Sequence, residues 1–214
     1  MSTIQVINQL SLKNNTVWCN RRNGKKLQKA HKRQGDLDGA CGAYSIVMTL
    51  IINGLLNGED ITDYDYDGRF AVAKIAKAIT KQNGLYKDGL SIEDCDTIIR
   101  SNYSKYARTE VLREKNEKLL PLIVAKIKND IPVIVRIDFK GKGSHWLVVV
   151  GFANDSEENL CKLLCLDSGF ESPKYALWNS VIDLEIRKGI YKYTYETNDN
   201  KPASIIEAIA VMKK

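Results

Sequence analysis

The apolar pattern of this chain changes period at Pro132, and that change limits the folds open to it. Before the proline, apolar residues recur at three- and four-residue intervals, the spacing of one helix face. The run after Cys41 has helical length and few breakers until Asn57-Gly58. Residues 69–82 carry Phe70, Val72, Ile75 and Ile79 at that spacing. Residues 91–101 open on Ser91-Ile92-Glu93-Asp94, a capping box with Asp in place of Glu. Residues 115–128 set Leu119, Leu120, Ile123, Val124 and Ile127 on one side, with Pro121 confined to a first turn or a kink. Beyond Pro132 the runs VIVRIDF, HWLVVVGFA, LCKLLCLD, IYKYTYET and IIEAIAVMK read as strands, broken by Lys142-Gly143 and by the polar turn NDSEEN. Before it only NTVWC, residues 15–19, reads as a strand, and residues 175–186 fit neither pattern. Helices first and an antiparallel sheet second predict an α+β fold. We expect a single domain over residues 1–214, with a helical lobe over about 34–130 packed on a sheet lobe over about 131–214.

The chain has 214 residues, and a hydrophobic share of 44% is enough for a packed core. Its 32 basic and 26 acidic residues leave a net charge of +6, too modest to argue for nucleic acid. Seven Lys or Arg fall between Arg21 and Arg33; a solvated face is the expected reading, offset by the acidic stretch from Glu59 to Asp67 if the two meet. The opening MSTIQVINQLSLKNN has neither the basic start nor the apolar run of a signal peptide. The longest apolar stretch, residues 46–56, is too short to span a bilayer. A soluble protein is expected, cytoplasmic or delivered as an effector without a classical signal. Five cysteines, an odd count without a secretory signal, predict free thiols.

The chemistry centres on QGDLDGACGAYSIVMTL, residues 34–50. A free thiol is only a few per cent ionised at neutral pH. A helix N-terminus and a neighbouring imidazole both favour the thiolate. Cys41 is placed for both, with Gly39 and Gly42 allowing a tight turn and room for a substrate main chain. Only two histidines exist to serve as base. His31 lies among Lys29, Lys32 and Arg33, which oppose its protonated form, whereas His145 opens an apolar strand after a Gly-rich turn. His145 is the expected base, and Asp167, 22 residues later at the end of the next strand, its orienter, with Asn179 in reserve. The backbone N–H of Cys41 and the amide of Gln34 would supply oxyanion donors. Trp146 would shield the His–Asp bond, line a cleft, or simply fill the core. Cys161 and Cys165 share a strand face but lack further ligands; they read as buried small hydrophobes rather than a metal site. Cys19 and Cys95 have no chemical context. No metal or organic cofactor is expected.

Gln34, Cys41-Gly42, His145-Trp146 and Asp167 resemble the papain-like cysteine peptidases, most closely the compact bacterial type that includes bacteriocin leader peptidases. The resemblance runs in order from Gln34 to Gly169. It departs from the family in a Gln-to-Cys spacing of seven instead of six, an Ala before the Cys, and Ser-Gly after the Asp. The element Asp38-Gly39-x-Cys41 is also similar to ovarian-tumour-type deubiquitinases. The resemblance implies a papain-like fold with its site in a cleft between the lobes. It further implies hydrolysis of peptide or isopeptide bonds through a Cys41–His145–Asp167 triad with Gln34 as donor. The partners would be a protein or peptide substrate and, for a toxin or effector, a cognate inhibitor or immunity protein. The same site would equally suit a glutamine deamidase, a transglutaminase or an amidase, or persist in an inactive binding module.

Overall fold

Eight strands form the main sheet, and six of them close on themselves. The computed structural model describes residues 1–22, 24, 26–35, 40–60, 73, 77, 89–141 and 143–214. The expected helix over 69–82 apart from residues 73 and 77, the acidic stretch after Asp60, Asp38, Gly39 and Lys142 lie outside the described residues. The chain opens with β1 (Thr3–Val6), β2 (Ser11–Lys13), β3 (Thr16–Asn20) and β4 (Leu27–Lys29). Helix α1 (Cys41–Ile52), helix α2 (Ile92–Tyr103) and strand β5 (Ala107–Leu112) follow. A 3-10 turn (Asn116–Lys118) leads into helix α3 (Leu120–Lys128). The remainder is strand: β6 (Val133–Phe139), β7 (Ser144–Asn154), β8 (Leu160–Leu166), β9 (Ser180–Asp183), β10 (Tyr193–Glu196) and β11 (Asn200–Lys213).

Strands β7, β6, β11, β10, β9 and β8 pair in that order, and β8 pairs back to β7. The result is a closed, six-stranded antiparallel barrel, and the protein is mostly sheet. This overturns the papain-like α+β expectation of an N-terminal helical lobe set against a separate sheet lobe. The three helices among the described residues pack on the barrel: α1 and α3 against β6 and β7, α2 against β5 and β11. Strands also come from the part expected to be helical or irregular. β1 pairs with the end of β7, and β5 pairs with the end of β11. The physical reason is pairing between distant segments. Long strand β11 serves β10, β6 and β5 in turn, with a register shift between Ile205 and Glu207 that bends it. Two further shifts in the β7–β8 ladder do the same. Such irregularities curl a sheet until its edges meet. A hydrophobic period reveals a strand but not whether its sheet closes.

The local signals that were readable correspond to observed elements. Ser91 caps α2, with its hydroxyl accepting from the Asp94 N–H and the Asp94 carboxylate accepting from the Ser91 N–H. Pro121 sits in the first turn of α3, where its missing N–H costs nothing. Asn14 and Asn15, both at positive φ, join β2 to β3 in a two-residue hairpin. β4 emerges from the basic run and completes a small three-stranded sheet. Within that run Arg21 is paired with Glu59, and Arg22 lies over the Tyr106 ring.

Cross-strand partners point to the same face, and alternate residues along a strand share it. His145 pairs with Ile137, and Ile137 shares a face with Phe139. Phe139 pairs with Ala203, which pairs with Tyr193, and Tyr193 shares a face with Tyr195. His145 and Tyr195 therefore project toward the same barrel interior, filled by Val133, Val135, Leu147, Val149 and Ile205. Trp146 is on the opposite face, under α1.

Candidate active site

Antiparallel pairing brings the two ends of the site together. β7 starts at Ser144 and runs away from His145; β8 runs back beside it, with Leu166 opposite Val148. Asp167, the residue after β8, therefore arrives next to His145 at the rim of the barrel. α1 packs along β7 and β6, which carries its first residue, Cys41, to the same rim. The approach is close. A Cβ on Gly42 would lie 3.1 Å from both Leu90 Cβ and Trp146 Cδ1. Trp146 is buried there, its indole N–H donating to the Leu90 carbonyl at 2.9 Å. It packs against the floor of the site and bonds to neither His145 nor Asp167.

Cys41 is 8% exposed and has no side-chain cap above it. His145 and the backbone N–H groups of Trp146 and Gly42 stand close enough to act on its thiol. Burial pushes the thiol up. The bond and charge of His145, with the two N–H donors, outweigh burial and hold it below its usual value. His145 is 16% exposed in its side chain. Its Nε2 lies 2.7 Å from Asp167 Oδ1, which leaves Nδ1 for the thiol. Burial lowers the imidazole, but Asp167 and Cys41 together push it up to about 10. Both shifts run in the direction that favours a thiolate beside an imidazolium.

Asp167 is fully buried, at 0% exposure. Oδ1 accepts from His145 and from the Gly169 N–H at 2.7 Å; Oδ2 accepts from the Tyr195 hydroxyl. Burial raises this carboxyl, yet the His145 bond and charge, Tyr195 and Gly169 hold it below the usual carboxylate range. Its backbone is clamped as well. The Asp167 N–H donates to Asn179 Oδ1 at 2.7 Å, and its carbonyl accepts from Asn179 Nδ2 at 2.8 Å. His31 Nε2 lies 2.7 Å from that same carbonyl. A carbonyl only accepts, so His31 carries its proton on Nε2, and the 3.3 Å approach of Asn179 Nδ2 to that nitrogen is not a hydrogen bond.

The structure thus brings together Cys41, His145 and Asp167, the three residues read from sequence. Gln34 is tied to the turn after β8: its N–H donates to the Ser168 carbonyl, and its Oε1 accepts from the Ser168 hydroxyl, both at 2.9 Å. The described contacts anchor Gln34 beside Asp167. Asn179, the reserve orienter, holds the Asp167 backbone and not the His145 ring. His31 is buried and structural. Two features escaped the sequence reading: the Tyr195 bond to Asp167 and the joining of Gln34 to Ser168. The one available hint for Tyr195 was chemical, since a buried phenol needs an acceptor. Cys19, Cys95, Cys161 and Cys165 are free thiols outside the site. Among the described residues, no group of three or more His, Cys, Asp or Glu is placed to hold a metal ion, and no helix is long and apolar enough to cross a membrane.

A cavity of about 400 Å³ opens beside Ser144, the residue before His145, and Arg136, Asp138, Phe139, Gly141, Gly143 and Tyr191 complete its lining. Another, of about 590 Å³, opens at the far end of α1 beside Ile52 and Asn53 and has no part in this chemistry. No protein-family model matches the chain, and no curated protein matches it.

Proposed function

We propose that the protein is a thiol hydrolase that cleaves peptide or isopeptide bonds with Cys41 as nucleophile, His145 as acid and base, and Asp167 as orienter. One observation carries the reading: His145 stands beside the Cys41 thiol and is hydrogen-bonded to a fully buried carboxylate. In the proposed cycle the Cys41 thiolate adds to the amide carbonyl carbon, and the π pair moves to oxygen. The N–H of Cys41 and the Gln34 amide donate to that oxyanion. The C–N bond breaks as the His145 imidazolium delivers its proton to the leaving amine. The thioester left on Cys41 is then attacked by water, which gives a proton to neutral His145, and the carboxylic acid departs as the thiolate re-forms.

The pair titrates as one unit. Hydrolysis needs thiolate and imidazolium together, so kcat/KM rises with pH through the lowered Cys41 value and falls again toward about 10, where His145 loses its proton. The test is limiting iodoacetamide across pH, with the labelled site mapped by mass spectrometry. Cys41 is expected to react first, well below pH ~8, and His145→Ala is expected to slow its labelling near pH ~6 on the order of 100-fold. Uniform labelling of the five cysteines would sink the reading. Mass spectrometry of incubated peptides separates the acyl chemistries: cleavage supports hydrolysis, while the mass gain of deamidation or a cross-link would reassign the site.

A further inference from the structure

We propose that Tyr195 is a positioning residue for this site, its hydroxyl fixing Asp167 so that Oδ1 faces His145. The inference rests on the thiol-hydrolase reading above and adds a residue that the reading does not use. Asp167 sits one residue past the end of β8, where no ladder bond holds its side chain. Oδ1 has two donors, His145 and Gly169, but Oδ2 has only the Tyr195 hydroxyl among the described contacts. Without that donor, a buried carboxylate oxygen would be left unpaired, and turning the carboxylate toward solvent would break its bond to His145.

Tyr195 reaches Asp167 because the barrel closes. β10 is separated from β8 by β9, but the face shared by Tyr195 and His145 points inward, so the phenol crosses the interior to the rim. Its ring lies 5.4 Å from that of Phe139. Ser180, on β9, turns its hydroxyl to the Cys165 carbonyl, so the phenol proton is left to Asp167. Burial, with the charge of Asp167, pushes the phenol well above its usual value, so it remains a donor across the working pH range. The other titratable groups facing Asp167 do not share this role. His31 meets only the backbone carbonyl and is kept neutral by burial. Cys165 is buried, which keeps it a neutral thiol. Glu171 is turned outward to Arg33 at 2.5 Å. Serial bonds run from Tyr195 through Asp167 to His145, the imidazole beside the Cys41 thiol.

Tyr193 provides a matched control. It lies two residues before Tyr195 on the same strand and face, and its buried hydroxyl has no hydrogen-bond partner among the described residues. The experiment compares wild type, Tyr195→Phe and Tyr193→Phe as full chains. It measures the pH midpoint of Cys41 alkylation by iodoacetamide and the His145 ring titration by NMR. In Tyr195→Phe the alkylation midpoint is expected to rise by about one pH unit and the His145 midpoint to fall by a similar amount. In Tyr193→Phe both are expected to stay in place. A purely structural hydroxyl would lower the melting temperature and leave both midpoints unmoved; that result in Tyr195→Phe overturns the inference while the thiol-hydrolase reading stands. Equal shifts in the two variants also overturn it. If wild-type Cys41 shows no early alkylation, the reading of the site fails and the inference with it.

Discussion

Two buried thiols on neighbouring helices meet opposite fates. Cys41 is the first residue of α1 at the barrel rim; Cys95 is the fourth residue of α2, fully buried in the same apolar core. They are close enough for the charge of one to act on the other. Burial drives Cys95 far above the usual thiol range, and the charges of Asp94 and Cys41 push it the same way. Burial acts on Cys41 in that direction too, but His145 and two backbone N–H groups reverse the outcome. Desolvation alone makes a thiol inert. Desolvation with donors aimed at the sulfur favours the anion, because the same low dielectric strengthens each donor. The difference lies in the neighbours, which the barrel rim supplies to Cys41 and the inner side of α2 denies to Cys95.

The sharpest way to break this comparison is to remove the group that holds the neighbours. Asp167→Ala strips the acceptor from His145, Tyr195 and Gly169 at once, at a fully buried position. We expect a loss of about 3–5 kcal/mol in urea unfolding and a Cys41 as unreactive as Cys95. A variant that lost less than about 1 kcal/mol and kept an early-labelling Cys41 would show that the donors at the rim do not decide the contrast.

A smaller effect is expected from pH alone. His145 is raised in the folded state, so its contribution is complete below its unfolded value of about 6.5 and is lost as pH rises through about 10. Cys41 is lowered, so its contribution is present above the unfolded thiol value of about 8.5 and is lost as pH falls through the folded value. Between those unfolded values the slopes cancel, since the folded pair keeps one proton on His145 and the unfolded pair keeps one on Cys41. The pair therefore contributes most between pH ~6.5 and ~8.5. The unfolding free energy from urea titration should drop by about 1 kcal/mol from pH ~7.5 to ~9.5, and this drop should shrink in His145→Ala. Stability that climbed steadily over that interval would mean that no imidazolium is held at the rim.

The grouping of Cys41, His145 and Asp167 was legible in the chain and the architecture was not. With only two histidines, and one of them at a strand start after a glycine turn, the partner of Cys41 was nearly forced. The apolar run after Cys41 and the capping box at Ser91 are local signals, and they fold as local elements. Barrel closure depends on distant pairings instead: Thr3–Val6 with the end of β7, Ala107–Leu112 with the end of β11, and β7 with β8 across two register shifts. β5 reads ARTEVL, too short and too charged to stand out between two helices. Tyr195 was illegible for the same reason, because its meeting with Asp167 exists only once β10 faces the interior of a closed ring.

The smallest expected effect tests the inert side of the comparison. Cys95→Ala removes one buried sulfur from α2 and leaves every donor at the rim in place. A cavity of that size should cost about 1 kcal/mol. Because Cys95 is held neutral, its loss removes no charge from the surroundings of Cys41, and the pH midpoint of Cys41 alkylation should stay where it is in wild type. A midpoint that moved appreciably would mean that Cys95 shares the ionisation of the rim, and the two thiols would have to be treated as one coupled site. An unmoved midpoint, measured beside the shift expected for Tyr195→Phe, would sharpen the distinction: a hydroxyl that reaches Cys41 through Asp167 and His145 governs its reactivity, and a neighbouring thiol without a hydrogen bond into that chain does not.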